Sequence, residues 1–177
     1  VLEYISTFTR LAAQLQTGSD FGQSVVYDEA SKTLYVSAPK HKVQNMAEAG
    51  DVVTCQWNGD DCVGGFPLSR RPNLPYVAGE QFGMSIALSN GKLAVGAPNY
   101  RNDVNSDIYV GRVYVLEGNV WRVLDPVVHQ PTRSVYFGYS VEWDGVDLLV
   151  GSVGTGNLSV YGEDLLIKYN VGNLNDG

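Results

Sequence analysis

Basic clusters, long apolar runs, histidine and cysteine are all scarce in this chain of 177 residues. Its 12 Lys and Arg stand against 19 Asp and Glu, a net charge of −7, and nowhere form a block. Such a chain lacks the electrostatic footprint that nucleic-acid phosphates or an anionic membrane surface demand, so neither is an expected partner. Its longest apolar runs, such as Leu148 to Val150, fall far short of a bilayer span. One pair of cysteines with only His41 and His129 beside it is a poor ligand set for zinc. No Walker loop, dinucleotide fingerprint or His-Glu-x-x-His is present. The Gly-x-Ser triplets at Ser24, Ser85 and Ser140 lead to Val26, Ala87 and Glu142 where a nucleophile elbow requires glycine. No secretory leader pattern opens the chain, and with Val at position 1 it reads as mature or as excised from something longer.

What is abundant points the other way. With 44% hydrophobic and 18% charged residues, 20 Gly and 11 Tyr, the composition suits a globular domain of strands joined by tight turns. The expected class is all-β.

The chain repeats itself. Phe-Gly-x-Ser occurs at Phe21-Gly22-Gln23-Ser24, Phe82-Gly83-Met84-Ser85 and Phe137-Gly138-Tyr139-Ser140, at spacings of 61 and 55 residues. After each comes an apolar run ending in small residues: Leu34 to Pro39, then Leu93 to Gly96-Ala97-Pro98, then Leu148 to Gly151-Ser152-Val153. A glycine then opens a third run: Gly50 to Cys55, Gly111 to Leu116 and Gly156 to Tyr161. A fourth, less regular strand is expected at Tyr4 to Leu15, Gly65 to Leu68, Val120 to Leu124 and Leu165 to Tyr169.

Physical reasons attach to each landmark. Phe beside Gly offers an apolar wedge on a backbone that turns sharply. Continuous apolar residues before Gly96-Ala97-Pro98 read as a strand buried on both faces, and Pro ends it because it donates nothing to a ladder. Four antiparallel strands at this period make a propeller blade, which buries its faces against its neighbours around an axis. Residues 1–20 read as the outer strand of a preceding blade, 21–81 and 82–136 as blades, and 137–177 as a degenerate blade. Closed propellers have about four to eight blades. Three blades leave two faces to be covered, by more of a larger propeller in cis or by another chain.

Phe-Gly-x-Ser, then apolar-Gly-Ala-Pro, then Gly-x-Val-Tyr-Val resembles the FG-GAP repeats of integrin alpha subunits and of glycosylphosphatidylinositol-specific phospholipase D. The match runs from Phe21 to Tyr161, strongest in the middle unit and weakest where Gly151-Ser152-Val153 replaces Gly-Ala-Pro. The resemblance implies a seven-bladed propeller. It also implies that Cys55 and Cys62 form the disulfide hairpin that follows the third strand of an integrin alpha blade. Their spacing, with Asn58-Gly59 between, suits a hairpin loop, with two free buried thiols as the alternative. A disulfide would mean an oxidising compartment: extracellular, cell-surface or secretory lumen.

Calcium is the only cofactor to weigh. Blades of this family often carry an Asp-rich loop before the second strand. Asp144-Gly145-Val146-Asp147 keeps part of it, although Asp144-Gly145, like Asn90-Gly91, also suits a type I′ turn. Asp103, Asn105 and Asp107 alternate in the loop after Gly96-Ala97-Pro98 without the following glycine or the distal carboxylate, so a solvated loop competes there. Asn157-Leu158-Ser159 is an N-glycosylation acceptor at a strand start.

The leading expectation is a non-catalytic binding module of a secreted or cell-surface protein, serving adhesion as in integrin alpha subunits. Its inter-strand loops (40–49, 57–81 and 99–110) would meet a protein or glycan partner. Tyr76, Tyr100 and Tyr109 lie in these connections, and Trp57 and Trp121 in outer segments. The alternative is the accessory propeller of a secreted phospholipase whose catalytic domain lies elsewhere. Enzymatic status is open on this reading, with no catalytic residue assigned. Arg70-Arg71-Pro72 and His129 read as solvated loop residues.

Overall fold

The structure, a computed structural model, describes residues 15–67, 75–103, 105–127 and 132–172. Among these there is no helix. Twelve strands form three antiparallel four-stranded sheets, each a simple meander. Blade 1 contains β1 (Val25–Asp28), β2 (Thr33–Ala38), β3 (Asp51–Trp57) and β4 (Cys62–Pro67). Blade 2 contains β5 (Ser85–Ser89), β6 (Lys92–Ala97), β7 (Arg112–Glu117) and β8 (Val120–Leu124). Blade 3 contains β9 (Phe137–Trp143), β10 (Leu148–Ser152), β11 (Asn157–Tyr161) and β12 (Ile167–Val171).

Alternation along each strand sends residues to two different neighbours. In blade 2, Ile86 pairs Val95 and Leu88 pairs Leu93 on one face. That face, with Tyr114 and Phe82, packs on Val52, Val26 and Tyr35 of blade 1. The opposite face, Ala87, Ala94, Val113 and Val115, packs on Phe137, Val141, Trp143, Leu148 and Val150 of blade 3. A sheet covered on both sides must be apolar at every position, which is why the run before Gly96-Ala97-Pro98 does not alternate.

The three Phe-Gly sites share one backbone. The residue before Phe is left-handed each time: Asp20, Gln81 and Tyr136 have φ of 54°, 55° and 54°. Gly22, Gly83 and Gly138 follow at 92°, 95° and 83°. Phe82 and Phe137 are 0% exposed, each burial contributing roughly 1.5–3 kcal/mol. The glycine opening a third strand explains itself at the same place. A Cβ on Gly50 would overlap the backbone of Phe82, and one on Gly111 that of Phe137. Backbone bonds seal the contact, Phe82 N–H to Ala49 and Phe137 N–H to Val110, both at 3.1 Å.

Cys55 and Cys62 form a disulfide across the β3–β4 hairpin, with Cα atoms 5.5 Å apart. Asn58 shapes the turn, its side-chain oxygen accepting the Asp60 and Asp61 N–H groups at 2.9 and 2.7 Å.

Several sequence expectations need correction. Asn90 and Gly91 are both left-handed, at 50° and 73°, as a type I′ turn requires. Asp144-Gly145 is not such a turn: Trp143 pairs Leu148, leaving four residues between, and only Gly145 of that dipeptide has positive φ. The Asp147 N–H donates to the Asp144 carboxylate at 3.0 Å and closes this wider loop. The fourth strand of blade 1 starts at Cys62 rather than Gly65, because the hairpin turn is short. That of blade 3 starts at Ile167 rather than Leu165, because Leu165 is a left-handed turn residue bonded back to Gly162. Phe137-Gly138 lies inside β9 instead of ahead of it. Trp121 lies in β8, at the Val120 to Leu124 strand the sequence led one to expect, and packs partly buried against the core, meeting the Phe82 ring edge-on at 6.0 Å. Trp57 is the last residue of β3. The expectations at Tyr4 to Gln14, Leu68, Arg70-Arg71-Pro72, His129 and the terminal Asn173 to Gly177 fall outside the described residues.

Candidate recognition surface

Antiparallel meanders put alternate turns at opposite ends. The short β5–β6, β7–β8, β9–β10 and β11–β12 turns share one end, where the Ser89 hydroxyl and Asn90 amide both donate to the Gly145 carbonyl. The longer β2–β3 and β6–β7 loops share the other end with the blade-to-blade connections. There the Gly79 N–H donates to Ala47 at 2.8 Å and the Val135 N–H to Tyr109 at 2.8 Å.

Two aromatic–arginine groups stand at this loop end. Tyr109 stacks on Tyr136, with centroids 5.5 Å apart and planes at 21°, and the Arg101 guanidinium lies 5.5 Å from the Tyr109 ring. Arg101 also donates to the Ser106 carbonyl at 3.3 Å, while its Nε is buried without a partner. Nearby, Arg112 lies 3.8 Å over the Tyr100 ring and bridges Asp125 through two bonds of 2.7 and 3.0 Å. Partial burial opposes the Arg112 charge, but the Asp125 bridge and the neighbouring tyrosines outweigh it and raise its pKa. All five Tyr and Arg residues are half-buried, held in place yet reachable. Tyr136 is an outlier, a bulky residue in left-handed conformation, and strain of this kind is concentrated where geometry matters.

Sequence reasoning named Tyr100 and Tyr109 but missed Tyr136, Arg101, Arg112 and Asp125. The available signal was the Tyr at the position before Phe-Gly, held by Asp20 and Gln81 elsewhere. Tyr76 is half-buried in the connection leading to Phe82.

The remaining candidates are occupied locally. Asp103 accepts the Asn105 N–H at 2.9 Å in a tight turn, and Asp107 is exposed. Both Asp147 oxygens take the Lys168 ammonium at 2.6 and 2.7 Å, which raises the Lys168 pKa. Among the described residues no three His, Cys, Asp or Glu side chains gather as a metal site. Asn157, at the head of β11, is half-buried against Gly172. The serines of the repeat serve blade junctions: Ser85 donates to the Gly138 carbonyl at 3.0 Å, and Ser24 accepts the Ile86 N–H at 3.4 Å. His41 is half-buried in the β2–β3 loop, with its N–H bonded to Ala38.

Three meanders in chain order, each packed face to face on the next, define consecutive blades of a β-propeller. No family model matches the chain, and no curated protein does. Among solved structures it is similar to a chain in the crystal structure of a nidogen/laminin complex. Identity is 13% and the TM-score 0.50, over 83% of this chain and 45% of that one. At such identity the likeness bears on fold alone, and this chain spans under half the length of its neighbour.

Proposed function

We propose that the chain is a non-catalytic FG-GAP propeller segment of a secreted or cell-surface protein, and that its loop end binds a protein partner. The observation that carries this reading is the convergence of Arg101, Tyr109 and Tyr136 from two separate loops onto a rigid blade junction. Tyr and Arg are the side chains that dominate interface energetics, since each joins apolar area to a directional polar group. The threefold landmark pattern supports the FG-GAP assignment. The disulfide supports an oxidising compartment, where a glycan on Asn157 would also belong. The similar chain belongs to a nidogen/laminin complex, which suggests two proteins to use as probes without deciding the ligand class.

Immobilised laminin and nidogen, with a glycan array beside them, are suitable probes. Binding to one of the two proteins is the expected result, with at least a tenfold loss in Tyr109→Ala and Arg101→Ala and no change in Lys168→Ala at the opposite end. Equal binding by all variants, binding confined to glycans, or no binding to any probe would overturn the reading.

A further inference from the structure

At its short-turn end, the junction between blades 2 and 3 holds a polar cleft of about 700 Å³, remote from the loop-end surface. Blade 2 lines it with Lys92, Glu117 and Arg122, and blade 3 with Val146, Glu163 and Lys168. Both walls are built from described residues. Adjoining it is a chamber of about 30 Å³, which shares Lys92, Val146 and Glu163 with the cleft and adds Trp143. That volume takes one water-sized group.

The donors here are incompletely bonded. Trp143 is 7% exposed, yet its indole N–H is buried without a hydrogen-bond partner, which costs free energy and is uncommon. The Lys92 ammonium donates to the Glu163 carbonyl at 3.2 Å, but the carboxylates of Glu117 and Glu163 stand off at 3.5 and 4.0 Å. Arg122 reaches the same Glu117 only at 4.0 Å and the Asp164 carbonyl at 3.4 Å. Lys168 differs, since both Asp147 oxygens already take its ammonium.

Charge decides what completes these bonds. An anion reaching Lys92 would meet Glu117 and Glu163, and a cation reaching those carboxylates would meet Lys92 and Arg122. A neutral hydroxyl suits both signs, because its oxygen accepts while its proton is donated. Several hydroxyls side by side need cations and carboxylates interleaved, which is how this cleft is lined. Val146, 54% exposed, offers a C–H surface beside them.

We propose that the cleft binds a neutral saccharide. One hydroxyl enters the chamber, accepting from the Trp143 indole N–H and the Lys92 ammonium and donating to the Glu163 carboxylate. Its neighbours accept from Arg122 and donate to Glu117. The cleft falls within the range of about 300–1,000 Å³ common to small-molecule sites. The site stands or falls independently of what the loop end binds.

Titration calorimetry with glucose, galactose, N-acetylglucosamine and lactose tests it, with glycine as a zwitterionic probe and sulfate as an anionic one. The expected result is binding of at least one sugar and of neither glycine nor sulfate. Trp143→Phe and Lys92→Met should each weaken that binding roughly tenfold, while Trp57→Phe leaves it unchanged. Circular dichroism shows whether each variant is folded, and Lys92→Met decides the matter if Trp143→Phe is not. Failure of every sugar to bind, which leaves the chamber to water alone, would overturn the proposal. So would binding of glycine or sulfate in place of sugars, or sugar binding indifferent to Lys92→Met.

Discussion

The Tyr114 hydroxyl donates to the Glu80 carboxylate at 3.0 Å, and both side chains are 0% exposed. Tyr114 belongs to β7, whereas Glu80 belongs to the connection arriving from blade 1, where its other oxygen accepts the Val77 N–H at 3.3 Å. A wholly buried carboxylate is tolerated only when hydrogen-bonded, so this pair fixes the connection to the sheet it introduces. Tyr114→Phe should cost about 1–3 kcal/mol in urea unfolding, because it removes a hydrogen-bond donor from a buried carboxyl group. A change under a few tenths would show that Tyr114 contributes only its ring.

Gly96→Ala tests close approach without backbone strain, since Gly96 is not left-handed. The added methyl meets the Gly138 carbonyl of the next blade, and sheets so joined do not part freely. Overpacking of this kind costs about 1–3 kcal/mol. Gly118→Ala, at an open turn with φ of 59°, carries only the conformational penalty and should cost less. Equal losses, read from thermal melts, would remove the steric argument.

Cys55→Ser opens a small covalent loop. With a sequence separation of 7, the chain-entropy estimate is about 2–3 kcal/mol, and reduction of the native protein should lower its unfolding midpoint correspondingly. An unchanged midpoint under dithiothreitol would show that the bridge does not hold blade 1 together.

Tyr161 gives a pH signature. Burial, and secondarily the negative charge of Asp125, push its pKa up to about 12 from an ordinary 10.0. The folded state therefore keeps the phenol proton longer than the unfolded chain does. Its stabilising contribution is complete below pH 10.0 and drains away as pH rises toward about 12. Tyr161→Phe should flatten that alkaline loss. Near neutrality the substitution should be harmless or mildly stabilising, because the Tyr161 hydroxyl is buried without a hydrogen-bond partner. A parallel alkaline decline in both proteins would assign the loss to other groups.

The landmarks legible in the sequence were those where only one residue type fits. Gly83, Gly111 and Gly138 stand where a side chain would strike the adjoining blade or where φ is positive, so their spacing revealed the architecture. The left-handed residue ahead of each Phe was not legible, because Asp20, Gln81 and Tyr136 share a conformation and no chemistry. Nor was Glu80, since glutamate is ordinarily a surface residue and its burial becomes tolerable through hydrogen bonds, such as those from the Tyr114 hydroxyl and the Val77 N–H, that no local pattern announces. The loop-end group stayed hidden for a topological reason: Tyr109 and Tyr136 meet only because Phe137 docks beside Gly111, a contact without local periodicity. Hairpin limits were blurred where the turn used side-chain caps, as at Asn58 and Asp144, instead of a two-residue glycine turn.

Among the described residues, blade 2 alone is enclosed by a sheet on either side, and that asymmetry sets how these three blades breathe. An amide in β6 exchanges with solvent only when two flanking layers separate, whereas one in β12, exposed at every residue, meets water after the slightest fraying. Deuterium uptake should thus be slowest in β6 and faster in the strands of blades 1 and 3, fastest of all in β12.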